Sequence, residues 1–139
     1  MAVTTMAEAR DAINGMLTPV WNTASGSAPL FYDNKDGQAP AVTGTYGRIA
    51  IRWAGGTRAA LGPNGTWRRA GFVFIQIFVP HGSKTTVADG IAEALTQALE
   101  LPGAVQNIWF RDAGPQDIGS DGTYHQVNVV AEFQYDRIL

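Results

Sequence analysis

Residues 71–100, GFVFIQIFVPHGSKTTVADGIAEALTQALE, decide how the rest of the chain is arranged. Between positions 72 and 79 only Gln76 is polar, and the other side chains are β-branched or aromatic types that suit a pleated, buried surface. This run reads as a central strand. Pro80 cannot donate to a ladder and Gly82 permits a sharp turn, so the strand is expected to stop there. A helix follows, with Thr86 and Asp89 spaced as a capping box, and with Val87, Ile91, Leu95 and Leu99 repeating every fourth residue beside Ala88, Ala94 and Ala98. Leu101-Pro102-Gly103 closes it. Side chains alternate along a strand, so Val73, Ile75, Ile77 and Val79 share one face and Phe72, Phe74, Gln76 and Phe78 the other. Both faces are apolar enough to need cover, the first from this helix and the second from another helix, a loop or a subunit.

Upstream, Ile49, Ile51 and Trp53 alternate with Arg48, Ala50 and Arg52, the pattern of a half-buried strand with an arginine-bearing outer face. The next strand starts near Thr66 and runs into the central one. Between them lies AGGTRAALGPNG, residues 54–65, read as a long hairpin loop. Ordinary hairpin loops hold about two to five residues, so a longer excursion points to a contact element. Nearer the amino terminus, Thr5 and Glu8 form another capping-box pair ahead of Ala9, Ile13, Met16 and Leu17 at helical spacing. A helix over residues 5–17 is expected, with Pro19 forbidding its continuation. Residues 22–28 read as a loop, Leu30-Phe31-Tyr32 as a short strand, residues 33–37 as a turn, and residues 38–47 as a segment without periodicity.

Downstream, residues 105–112 read as a strand with Ile108 and Phe110 opposite Trp109, residues 113–122 as a second long loop, and the closing segment as a strand. There His125, Val127, Val129, Ala131, Phe133 and Tyr135 alternate with Gln126, Asn128, Glu132 and Gln134. The fold expected is α+β: a single mainly antiparallel β-sheet with two helices packed on it, in the order α-β-β-β-α-β-β, with one long hairpin loop. One domain over residues 1–139 is expected, since a chain of this length buries roughly two-thirds of its unfolded surface.

Composition narrows the chemistry. Without cysteine there are no disulfides, thiolate metal sites or cysteine nucleophiles, and a formal charge of −2 argues against a generic polyanion binder. The first ten residues lack a signal-peptide layout and no apolar run approaches a membrane span, so synthesis in the cytoplasm and no membrane partner are expected. Charged residues make up only 16% of the chain, which leaves surface for partners to cover. The two histidines, His81 and His125, have no second ligand at metal-binding spacing, and Ser83 beside His81 lacks a nucleophile elbow. Residues 117–128 resemble a calcium loop but fail at the third and twelfth ligands, Gly119 and Asn128. Asn64-Gly65-Thr66 matches a glycosylation sequon but reads as a turn. No catalytic residue, metal or cofactor is expected.

One distribution stands out. Arg48, Arg52, Arg58, Arg68 and Arg69 are half of the ten lysines and arginines, and the window that holds them contains no acid. With Trp53 and Trp67 interleaved, this hairpin is a candidate contact with an acidic protein surface or with nucleic-acid backbone. An ordinary solvated strand face is the plain alternative.

The stretches TTMAEARDAINGMLTPVW (residues 4–21), PLFYDN (29–34) and RRAGFVFIQIFVPHGSKTTVADGIAEALTQALE (68–100) together resemble the tail terminator proteins of long-tailed bacteriophages, the lambda-like minor tail or terminator family, and their relatives in gene-transfer particles. The resemblance implies a structural virion protein that forms a hexameric ring, caps the tail tube, stops its polymerisation and offers a surface to the head. Its implied partners are its own copies, the tube protein and a head-completion protein, and inward arginines would line the ring if DNA passes through it. The family has no catalytic residues to carry over. A neck or head-completion connector is the near rival, and a small nucleic-acid binder using the Arg/Trp hairpin a more distant one.

Overall fold

The structure is a computed structural model that describes residues 5–32, 44–58, 65–82, 85–101 and 107–138. The expected order of elements is present: α1 (Met6–Ser25), β1 (Leu30–Tyr32), β2 (Tyr46–Arg58), β3 (Thr66–Pro80), α2 (Thr85–Glu100), β4 (Ile108–Ser120) and β5 (Tyr124–Ile138). Five strands form one sheet in the order β1-β2-β3-β5-β4. It is mixed, because β1 runs parallel to β2 while every other pairing is antiparallel.

The sheet is built on β3, which pairs along its whole length with β5, from Thr66 opposite Ile138 to Pro80 opposite Tyr124. Its odd-numbered residues Val73, Ile75, Ile77 and Val79 are fully buried and join Val127, Val129, Ala131, Phe133 and Tyr135 of β5 in the core. Both helices cover this same face. From α2 come Ala88, Ile91, Ala92, Leu95 and Leu99, and from α1 come Ala9, Ile13, Leu17 and Trp21. Burying a side chain of that size contributes about 2 kcal/mol, so the one-sided core accounts for most of the drive to fold. No helix covers the even-numbered face of β3 among the described residues, so of the three covers expected a loop or a subunit is left; Phe72 is 37% exposed there.

Several local expectations are corrected. The first helix does not stop at Leu17: it runs through Pro19 to Ser25 and ends at Gly26, which takes the left-handed conformation. Pro19 removes one intrahelical bond, to the carbonyl of Gly15, at a point of the helix where both residues are exposed to solvent. The continuation is held by Trp21, one further turn along the Ala9-Ile13-Leu17 stripe, whose Nε1 donates to the Ala28 carbonyl at 2.8 Å. The Thr5–Glu8 capping box is present as expected, with the Glu8 amide on Thr5 Oγ1 and the Thr5 amide on Glu8 Oε1, both at 3.1 Å.

In α2, Thr86 lies inside the helix, which begins at Thr85, and Asp89 falls beyond the first turn, so that pair is not its capping box. Of its expected stripe Ile91, Leu95 and Leu99 are buried, with Ala88 and Ala92 beside them, whereas Val87 is 46% exposed. Both expected long loops are strand in part, residues 59–64 of the first lying outside the described residues. Ala54 to Arg58 continue β2 past a bulge between Trp53 and Gly56, and residues 113–120 continue β4 through two irregularities. Glycine and Pro115 hide the alternation there, yet both segments are held by hydrogen bonding to a regular partner. The expected turn at residues 33–37 and residues 38–43 of the expected aperiodic segment lie outside the described residues, while Tyr46 and Gly47 at the end of that segment already belong to β2, paired with Phe78 and Ile77.

Candidate functional site

The bulge in β2 and the alternation of β3 distribute the candidate residues over two faces. Arg48 stands opposite Gln76 and Arg52 opposite Phe72, on the sheet face away from the helices. The Arg52 Nη1 group donates to the Ile51 carbonyl at 3.2 Å. Arg68 shares this face and is engaged with Asp136 of β5, Nε donating to Oδ1 at 2.8 Å and Nη2 to Oδ2 at 3.2 Å. The bidentate carboxylate holds the Arg68 guanidinium above its ordinary pKa.

The remaining four candidates lie on the helix side. Trp53 is half-buried and packs edge-on against Phe133 and Tyr135, with ring centroids 5.4 and 6.3 Å apart. Beyond it the sheet extends past the helical layer: residues 54–58 are all exposed, and no residue of 66–70 belongs to the core. Here Trp67 of β3 is flanked across the strands by Arg58 of β2 and Arg137 of β5. The Arg58 guanidinium lies over the Trp67 ring, 5.8 Å from its centroid, a cation–π contact. In the next row inward, Arg69 sits between Gly56 and Tyr135. Arg69, Arg137 and Tyr135 line a cleft of 310 Å³ with Thr5, Met6 and Ala7 at the start of α1. Burial pushes the Tyr135 phenol up, while the charges of Arg69 and Arg137 pull it down. Neither of these two arginines is in an ion pair among the described residues.

Sequence reasoning gathered the five arginines of residues 48–69 but missed Arg137, which belongs to the same patch through the β3–β5 register. The signal was present in β5: with Phe133 and Tyr135 pointing inward, Arg137 falls on the same side. It also missed an aromatic cluster on the open face, where Tyr46 stacks on Phe78 at 4.5 Å and meets Tyr124 and Phe31 edge-on at 5.2 and 6.1 Å.

The rest of the surface offers little chemistry. The His81 ring nitrogen Nδ1 is 2.9 Å from Ser120 Oγ, and His125 Nε2 is 3.7 Å from Asp117. Ser83 lies outside the described residues. Among the described residues no group of three His, Cys, Asp or Glu could hold a metal, and no helix is long and apolar enough to cross a membrane. The arrangement is suited to contact, with a cationic aromatic patch at one end of the sheet and an open aromatic face.

A two-layer α+β domain with a five-stranded mixed sheet recurs among solved structures. One, which carries no functional description, aligns over 96% of both chains at a TM-score of 0.70 and 20% identity. A chain from the virion of a native gene transfer agent particle aligns over 91% of this chain and 93% of its own, at a TM-score of 0.57 and 18% identity. The sheath/tube terminator of an extracellular contractile injection system, in its extended state, takes in 100% of this chain over 58% of its own length, at a TM-score of 0.54 and 12% identity. The chain therefore shares its fold with components of phage-like tail particles. No family profile and no curated protein sequence matches it.

Proposed function

We propose that this protein is a structural virion component, a tail terminator whose copies close into a hexameric ring on the end of the tail tube, stop its polymerisation and present a surface to the head. The observation that carries this reading is fold sharing over nearly the whole chain with a gene transfer agent virion chain and with a sheath/tube terminator. The one-sided core supports it, since a sheet with no helix over its aromatic face among the described residues is suited to an assembly. In this reading residues 1–139 act as one domain, and the partners are further copies, the tube protein and a head-completion protein. Arg48 and Arg52, on the face away from the helices, would line a DNA passage. The role is structural and not enzymatic, in keeping with the virion origin of these neighbours.

The test is tube growth in the presence of the purified protein. Added to polymerising tail tube protein, it is expected to yield tubes of arrested length with a ring at one end in electron micrographs. Tubes that lengthen without limit and carry no terminal ring would overturn the reading.

A further inference from the structure

Two surfaces of this chain are complementary in charge. The cationic patch presents Arg58, Trp67, Arg69 and Arg137 on strand ends that extend past the helical layer, and residues 48–69 contain no acid. By contrast, α2 carries Asp89, Glu93 and Glu100 and no lysine or arginine in its sixteen residues. Between α2 and the end of α1 lies an apolar groove of 540 Å³, lined by Val20, Ala94, Ala98 and Leu101 with Gln97 and Glu100 at its rim. Leu101 is 64% exposed in it. Aromatic and arginine anchors seated in an apolar pocket, with charge of opposite sign around it, are the usual composition of an interface hot spot.

We infer that the Arg58/Trp67 end of the sheet of one copy docks into the α1–α2 groove of a second copy, so that cationic strand ends meet the acidic helix. The two surfaces are different parts of the chain, so the contact is heterologous and a docked pair keeps one free patch and one free groove, on different copies. Such contacts propagate head to tail and close into a ring when the rotation allows. The proposal rests on the ring reading above and assigns the surfaces that make the ring.

The test uses two charge-reversed forms of the full chain. The groove form carries Glu93→Lys and Glu100→Lys; the patch form carries Arg58→Glu and Arg69→Glu. Each alone faces like charge at every contact and is expected to associate at least about 30-fold more weakly than the unaltered protein, the loss typical of a hot-spot anchor. Mixed in equal amounts, the two forms present opposite charges at every contact and are expected to restore rings of alternating composition. Sedimentation and electron microscopy read the assembly, and circular dichroism checks each fold. Should a reversed form misfold, Glu100→Gln and Arg69→Gln serve instead, expected to weaken assembly without restoration on mixing. Unaltered rings from either reversed form, or a folded mixture that stays dissociated, would overturn the pairing while leaving the ring intact. Unaltered protein that forms no ring even on tubes would overturn the ring reading itself.

Discussion

Gly47 of β2 lies directly under the indole of Trp21: a Cβ built on it would stand 2.5 Å from Cη2, 2.8 Å from Cζ3 and 2.9 Å from Cζ2. Trp21 is fully buried and fixed by its bond to the Ala28 carbonyl, so the ring has nowhere to retreat. Gly47→Ala is therefore expected to lower stability by about 1–3 kcal/mol, the usual cost of overpacking. Chemical denaturation measures it; an unchanged midpoint would mean that the end of α1 shifts freely.

Pro19 gives the opposite expectation. Its ring occupies an exposed position where alanine would restore the bond to Gly15. A helix-interior proline costs about 3 kcal/mol against alanine, partly offset by about 0.4–1 kcal/mol of unfolded-state entropy. Pro19→Ala should thus raise stability by about 2 kcal/mol, seen as a later denaturation midpoint with an unaltered slope.

Thr96 is buried on α2, and its hydroxyl has no hydrogen-bond partner among the described residues. Replacing an unsatisfied buried hydroxyl with a methyl removes a desolvation cost of about 1 kcal/mol. Thr96→Val is expected to stabilise by roughly that amount, whereas a loss of stability would reveal a partner for the hydroxyl.

Asp121 shapes the β4–β5 turn, its Oδ1 accepting the amides of Tyr124 at 2.7 Å and Thr123 at 2.8 Å. Those bonds, Tyr124 first, hold its carboxyl below the ordinary aspartate range. A carboxyl with a folded pKa under its unfolded value contributes stability that is complete above the unfolded value and lost as pH falls through the folded one. Protection of the turn amides should be level at neutral pH and fall only below the ordinary carboxylate range. Asp121→Asn should flatten that fall in amide exchange measured against pH.

Arg68 and Arg69 are neighbours in sequence and point to opposite faces. Arg68→Glu would set an acid against Asp136 across the strands and is expected to lower stability. Arg69→Glu breaks no ion pair among the described residues and should leave stability within about 0.5 kcal/mol. Its effect should instead appear in assembly. Equal unfolding midpoints for the two variants would contradict this division of roles.

Where local pattern and tertiary pairing agreed, the sequence could be read. The alternation of residues 125–135 foretold β5, and the Val73-Ile75-Ile77-Val79 face foretold the core. Where backbone pairing alone holds a strand, the pattern was silent: Gly55 and Gly56 in β2 and Gly114 and Pro115 in β4 read as loop. The parallel β1–β2 pair left no mark in three half-buried residues. The candidate site was legible as a cluster of arginines, but its division between faces depends on the bulge after Trp53 and the β3–β5 register, which no window of sequence carries.

The strand order places β5 between β3 and β4, so the fifth strand in chain order lies next to the middle of the sheet. Until it leaves the ribosome, β3 has one long neighbour only and β4 has none, and the apolar face of residues 73–79 stands half unroofed. Closing the sheet therefore waits for β5 to insert between two strands already synthesised, a non-local closure of the kind that slows folding. A nascent chain without β5 lacks Arg137 and Asp136, so the cationic patch around Trp67 and the ion pair of Arg68 form only once that strand is in place.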